Sequence, residues 1–399
     1  MQPEIVLVGG ARTPMAEYVG TPGHGLFKDL SANQLGGIAL KAALERGGVA
    51  PEQVEHVVMG NAMQTSPDGI YGARHAALDA GIPVETPALT VNRLCGSGIQ
   101  SLVSAAHMIL AGEHEVVAAG GMENMSQAPH VLRGAREGFR LGMEPKLEDS
   151  LFQALYDTRC GFFMAQTAEN LASQHGISRE EQDEYALRSH RLGAEAVASG
   201  AFADEIVPVT VKRGRKEIVV DHDDHVKPDT TLEGLAKLRP AFGKEGTVTA
   251  GNASGIVDGA AAMVVTTAER AAKEGWTVEA HVRSWAVAGV EPSIMGIGPV
   301  PSIRKALEKA GLALDDVDLF EINEAFAAQY LAVEKALGLD RDKVNVQGGA
   351  IAIGHPLGAT GTRLVLTLTR QLARRGARIG VASACIGGGQ GIAMVVERV

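Results

Sequence analysis

Cysteine is scarce: Cys95, Cys160 and Cys385 are the only three in 399 residues, and they stand far apart. An odd number of distant thiols argues against a disulfide framework and makes reduced cysteine the default. No run approaches the ~18 apolar residues of a membrane helix, so neither a spanning role nor a membrane partner is expected. Positive charge is short as well, with 37 Lys and Arg against 47 Asp and Glu and a net charge of −10. Nucleic acid is therefore not expected as a partner, because phosphate binding needs concentrated Lys and Arg. That deficit leaves room for a local basic pocket facing a phosphorylated ligand. The N-terminus, Met1 to Gly10, enters an apolar strand pattern at once. It lacks the charged region and long apolar core of a secretory signal, and the reading is a cytoplasmic protein.

Glycine is plentiful, at 49 residues, about 12% against a typical ~7%. Many positions therefore need positive φ or close backbone approach. A chain of this length, 45% hydrophobic and 21% charged, is globular and exceeds what one core usually supports. Its organisation shows in an internal duplication at a shift of 263. Ala43-Leu44-Glu45-Arg46-Gly47-Gly48-Val49 lies over Ala306-Leu307-Glu308-Lys309-Ala310-Gly311-Leu312, Cys95-Gly96-Ser97-Gly98 over Gly358-Ala359-Thr360-Gly361, and Val116-Val117-Ala118-Ala119 over Ile379-Gly380-Val381-Ala382.

Each half alternates strands and helices, which predicts βαβ units around mostly parallel sheets. In the first half, Ile99, Leu102, Val103, Ala106 and Leu110 fall at helical spacing and Gly112 supplies a stop. Cys95 thus stands just before a helix, where peptide dipoles and free N–H groups favour an anion and a depressed thiol pKa is expected. Between the halves, residues 126–255 switch to charged helices and polar loops, including a helix start at Ser178-Arg179-Glu180-Glu181. This reads as an inserted loop domain. Its basic stretch Lys212-Arg213-Gly214-Arg215-Lys216 reads as a solvated hairpin, and His222-Asp223-Asp224-His225 as a solvated acidic turn without the spaced partners of a metal site. No metal is expected.

Asn92-Arg93-Leu94-Cys95-Gly96-Ser97-Gly98, Gly120-Gly121-Met122-Glu123-Asn124-Met125-Ser126, Asn323-Glu324-Ala325-Phe326-Ala327, Gly348 through Pro356 and Cys385-Ile386-Gly387-Gly388-Gly389 occur in one order. In these five stretches, and along nearly its whole length, the chain resembles the thiolases. The resemblance implies an α/β fold of two duplicated βαβ halves, with central mixed sheets in an α-β-α-β-α layering plus an inserted loop domain. The expected division is 1–125 with 256–277 as the first half, 126–255 as the coenzyme A (CoA)-contacting insert, and 278–399 as the second half.

It also implies a two-step thioester exchange with no permanently bound cofactor, coenzyme A thioesters being substrates. Cys95 would attack the acyl-CoA carbonyl and hold the acyl group. His355 would take the thiol proton, and Cys385 would move a proton at the α-carbon of a second acetyl-CoA. Asn323, through a water, and His355 would form one oxyanion hole, and the N–H groups of Cys95 and Gly387 the other. Ser254, with Ala250 and Gly251, would contact pantetheine. Lys227 would stand near the nucleotide, and Met164, Met295 and Phe326 around the acyl pocket. A homo-oligomer, dimer or tetramer, is implied as well.

Two positions bear on specificity. Phe163 stands where some short-chain biosynthetic thiolases carry histidine, whereas glycine after Cys95 looks more like the acetoacetyl-CoA branch than the long-chain one. The resulting expectation is an acetyl-CoA C-acetyltransferase, with a degradative 3-ketoacyl-CoA thiolase and a non-catalytic acyl-CoA or sterol carrier as alternatives. Taken singly, the same residues have blander readings. A cysteine among Ala and Gly is usually core, Asn323 fits an N-cap of a helix from Glu324 to Leu337, and His355 fits a turn before proline.

Overall fold

The computed structural model describes residues 3–18, 25–243 and 245–399. Nine strands carry the architecture: β1 (Ile5–Arg12), β2 (His56–Gly60), β3 (Ala88–Val91), β4 (Val116–Glu123), β5 (Val257–Thr267), β6 (Val278–Gly289), β7 (Leu319–Ile322), β8 (Ile379–Ile386) and β9 (Gln390–Arg398). They lie in the order β7-β8-β9-β6-β1-β5-β4-β2-β3, and the short strand Ala16–Glu17 pairs with β5 to complete a ten-stranded sheet. The two expected half-sheets are one hydrogen-bonded sheet, because β1 pairs with β5 on one side and with β6 on the other.

The expected mostly parallel order is not what forms. Only β2–β3, β2–β4 and β7–β8 are parallel; the five pairings from β4 through β5, β1, β6 and β9 to β8 are all antiparallel. The local cause is visible at β8 and β9, where three glycines, Gly387 to Gly389, turn the chain straight back on itself. Gly388 and Gly389 have φ of 80° and 84°, conformations that only glycine adopts freely.

Helices fill the layers between and outside the half-sheets. The amphipathic α1 (Ala32–Gly47) covers the outer face of the first half, starting at a capping box of Ser31 and Gln34 and stopping at Gly48 in the left-handed region. α2 (Ser97–Leu110) and α7 (Leu357–Arg375) share the central layer, where Ile99, Leu102, Leu364 and Leu368 pack between Val58 and Val117 on one side and Ala384 and Met394 on the other. α5 (Pro299–Ala310) and α6 (Ala327–Leu337) cover the outer face of the second half. The α-β-α-β-α layering follows.

The duplication survives into three dimensions: β4 begins at 116 and β8 at 379, and they end at 123 and 386, the same 263-residue shift. At the pseudo-symmetric centre α2 meets α7 through paired glycines. A Cβ on Gly98 would sit 2.3 Å from the Thr362 nitrogen, and one on Gly361 2.3 Å from that of Ile99. The repeated small-residue motif is therefore where the two halves touch backbone to backbone.

Within 126–255, α3 (Met164–His175) and α4 (Arg179–Ala198) send Ala168, Leu171, Tyr185 and Ala186 into the core of the second half, beside Ile303 and Tyr330. Ser178 caps α4 in a box with Glu181. The basic stretch forms the hairpin Val209–Arg213 with Lys216–Val220, turning at Gly214. The acidic turn is not solvated as expected. Asp223 is buried and takes two bonds from the Arg12 guanidinium, at 2.7 and 2.9 Å, while Glu205 accepts from Arg12 Nε at 3.0 Å. Two carboxylates from the insert thus clamp a buried cation at the end of β1, and removing either side would leave an uncompensated buried charge. Among the described residues no group of three His, Cys, Asp or Glu is placed to hold a metal ion.

Candidate active site

Three turns converge on one cavity. The first follows β3: Asn92 Oδ1 accepts from the Leu94 N–H at 2.9 Å, and Leu94 takes φ of +46°, a left-handed conformation that an L-residue holds only under tertiary constraint. A single 3₁₀ turn, Leu94–Gly96, then delivers Cys95 two residues before α2. Ser97 Oγ locks this turn, accepting from Arg93 N–H at 2.8 Å and donating to the Leu94 carbonyl at 2.7 Å. Gly96 is required by space, since a Cβ would lie 2.6 Å from Ile386 Cδ1.

The second turn follows Cys385 at the end of β8. The Gly387 N–H points at the Cys95 sulfur, as does the N–H of Cys95 itself. A Cβ on Gly387 would press on Met164 Sδ and Leu94 Cδ1 at 3.2 and 3.3 Å. Arg93 ties the two turns together, donating to Gln100 Oε1 and to Gln390 Oε1, both at 2.8 Å.

The third turn carries His355, whose backbone N–H donates to the Gly255 carbonyl at 2.9 Å. Its Nε2 faces Asn323 Nδ2 at 3.3 Å and its Nδ1 lies 2.6 Å from Thr360 Oγ1. Asn323 is not a helix cap, because α6 begins only at Ala327. The amide of the buried Asn323 is aimed at the imidazole directly. Leu357, two residues after His355, joins Leu94, Cys95, Leu155, Tyr156, Met164 and Gly387 around a cavity of about 240 Å³.

The other expected residues divide. Met164, Met295 and Phe326 gather with Ala325 around the fully buried Cys385. The loop of Ala250, Gly251 and Ser254 is bound to the same region: Ser254 N–H donates to the Ala325 carbonyl at 3.0 Å, and Ala253 bridges Phe326. Gly251 faces Leu235 and Leu238, each 2.5 Å from where its Cβ would be, and Ala250 is exposed. Lys227 stands apart from the cavity, exposed and paired with Glu17 at 2.8 Å. The Phe163 ring does not line the cavity; it packs among Phe152, Tyr156 and Phe242 at centroid distances of 4.6 to 5.1 Å.

The expected depressed thiol is overturned. Burial pushes Cys95 up to about 11, against the opposing N–H groups of Gly387 and of its own backbone. A helix start is worth ~0.3–1 kcal/mol to a negative charge, too little to offset removal from water. Burial likewise holds Cys385 well above the usual thiol range. Burial and then the nearby Arg363 guanidinium lower His355 to about 3. The resting site therefore holds neutral thiols beside a neutral imidazole. In the free protein, alkylation of Cys95 by iodoacetamide should climb as the pH approaches about 11, because a raised pKa keeps thiolate scarce below it. An inflection at neutral pH, read by peptide mass spectrometry, would contradict this.

Sequence reasoning did not single out Thr360 or Glu123. Glu123 ends β4 buried, accepting from Ala62 N, Met63 N, Asn61 Nδ2 and the Gly358 N–H at the start of α7, at 2.8 to 3.0 Å. Burial raises it to about 7. Both residues lie inside stretches that the duplication or the ordered motifs had already marked, and only their contacts were missing.

The Thiolase N-terminal domain family matches residues 5–269, and the Thiolase C-terminal domain family matches residues 276–398. The chain belongs to the thiolase family. It is similar to human mitochondrial 3-ketoacyl-CoA thiolase, 52% identical over 98% of each chain. It is also similar to the acetyl-CoA acetyltransferase of Cupriavidus necator, 48% identical over 99% of each. The crystal structure of the human enzyme in complex with CoA superposes with a TM-score of 0.96, covering 100% of this thiolase and 98% of that chain. This thiolase is accordingly an acyltransferase, and its five-layer arrangement is the thiolase fold.

Proposed function

We propose that this thiolase is an acetyl-CoA C-acetyltransferase, joining two acetyl-CoA molecules into acetoacetyl-CoA and free CoA and reversing that reaction. One observation carries the reading: Cys95 lines an apolar cavity with the Cys385 thiol of the other half close enough to act on it, while the His355 imidazole faces the Asn323 amide at 3.3 Å just behind Leu357 of the cavity wall. The Cys95 sulfur attacks the thioester carbonyl while its proton passes to His355 Nε2. The C–S bond to CoA then breaks, and the departing thiolate takes that proton back, leaving acetyl-Cys95. Cys385 then hands its own proton to His355 and, as the thiolate, takes an α-proton from a second acetyl-CoA; the enolate displaces Cys95, which regains its proton from His355, to give acetoacetyl-CoA. The N–H groups of Cys95 and Gly387 face the first developing oxyanion, and Asn323 with His355 faces the enolate oxygen. Pantetheine enters along Ala250, Gly251 and Ser254, whose loop is bonded to Ala325, and Lys227 serves the nucleotide end.

A second reading is a 3-ketoacyl-CoA thiolase of broader chain length. It is supported by the relatives of that name at 52% identity and by Phe163, whose ring is engaged outside the cavity and leaves it unfilled. Thiolysis rates across a series of 3-ketoacyl-CoA chain lengths decide between them. On the first reading kcat/KM is highest for acetoacetyl-CoA and falls ~10-fold or more per methylene once the pocket is full. A preference for longer chains assigns the broader activity instead. A carrier role would require that no acetyl group appear on Cys95.

A further inference from the structure

We propose that Thr360 is a positioning residue that sets the tautomer of His355, keeping the proton on Nδ1 so that Nε2 keeps the lone pair a general base needs. The inference rests on the catalytic reading above and adds to it a residue that acts only through the imidazole.

Thr360 is the fourth residue of α7 and completely buried. Its Oγ1 lies 3.0 Å from the Pro356 carbonyl, the i−4 back-bond usual for a threonine in a helix, and 2.6 Å from His355 Nδ1. A hydroxyl has one hydrogen. Once that hydrogen is given to Pro356, the oxygen can only accept from the imidazole, and Nδ1 must carry a proton. The other ring nitrogen agrees: Nε2 faces the Asn323 Nδ2 donor at 3.3 Å, an arrangement that requires an acceptor there. Two neighbours on opposite sides of the ring thus specify one tautomer.

The arrangement is also rigid. His355 is held at its own N–H by Gly255, and Thr360 is carried by the helix that begins two residues later. The glycine contact at Gly361 presses this turn against Gly98 and Ile99 at the start of α2, the end that Cys95 immediately precedes. Nucleophile and base are therefore set by the same helix pair. When Nε2 takes the thiol proton, Nδ1–H still donates to Oγ1, so the imidazolium keeps its hydrogen bond and its orientation.

The test uses the full-length protein labelled with 15N-histidine, with the His355 signals assigned by their loss in His355→Asn, together with single-turnover acetylation of Cys95 by acetyl-CoA followed by mass. Thr360→Val keeps the shape and removes the hydroxyl. It should mix the protonation of the two ring nitrogens and slow acetyl-Cys95 formation ~100-fold, the scale of a misdirected general base. Thr360→Ser should restore the wild-type tautomer and most of the rate. Melting curves accompany each variant, and Thr360→Ala carries the comparison if the valine protein does not fold. Wild-type signals and acetylation rate in Thr360→Val, or a serine variant as impaired as valine, overturn the proposal. Failure of the wild-type protein to take up an acetyl group would overturn the catalytic reading instead, and the ring-nitrogen signals would still decide the role of Thr360.

Discussion

Cys95→Ala should abolish both condensation and thiolysis, by ~10⁴-fold or more, and leave no acetyl group on the protein after mixing with acetyl-CoA. The magnitude follows from the geometry. Cys95 is the thiol that faces the open cavity and receives the N–H of Gly387 and of its own residue. Without it the acyl group has no place to wait between two substrates, and one transfer must do the work of two. Cys385 does not substitute, being fully buried behind Met164, Met295, Ala325 and Phe326. The fold should be almost untouched, since Cys95 is only half buried and loses a single sulfur. Substantial turnover by a folded Cys95→Ala protein, measured by CoA release, would remove the covalent mechanism.

Cys385→Ala should separate the two half-reactions. Acetylation of Cys95 needs the nucleophile, His355 and the N–H groups, all of which remain. Condensation needs a group to take the α-proton, and its loss should slow acetoacetyl-CoA formation by ~10²–10⁴-fold. Acetyl-enzyme should therefore accumulate in the variant, where wild-type protein consumes it. Mass spectrometry after rapid mixing reads this directly. Equal losses in acetylation and condensation would mean that Cys385 acts on the nucleophile and not on the second substrate. A thermal melt controls for the void left in the methionine-lined cluster, which removal of one sulfur keeps small.

Much of this was legible in the chain. The order of the five motifs pointed to Cys95, His355, Asn323 and Cys385, and the 263-residue register located β4, β8 and the glycines at which α2 and α7 meet. The helix of Ile99, Leu102 and Val103 and its stop at Gly112 followed from apolar spacing, and the cap of Ser178 with Glu181 from local chemistry. Alternation of strands and helices did not reveal strand direction. Pairing partners are separated by long stretches of chain, and a βα pattern is silent about which strands become neighbours. Asp223 was misread for a related reason: a turn dense in charge looks solvated until the buried guanidinium of Arg12, 211 positions away, is brought against it.

The sequence by itself determined which groups are available: two glycine-cradled thiols, a histidine before proline, an asparagine in a strand-to-helix turn, and a duplicated frame to carry them. Covalent spacing and helical periodicity are local properties, so they can be read along the chain. Only the tertiary structure decided what state those groups rest in. A thiol at a helix start should be acidic by local reasoning, yet burial raises Cys95 to about 11 and lowers His355 to about 3. Desolvation depends on everything that surrounds a group, and at this site nearly all of it comes from distant parts of the chain.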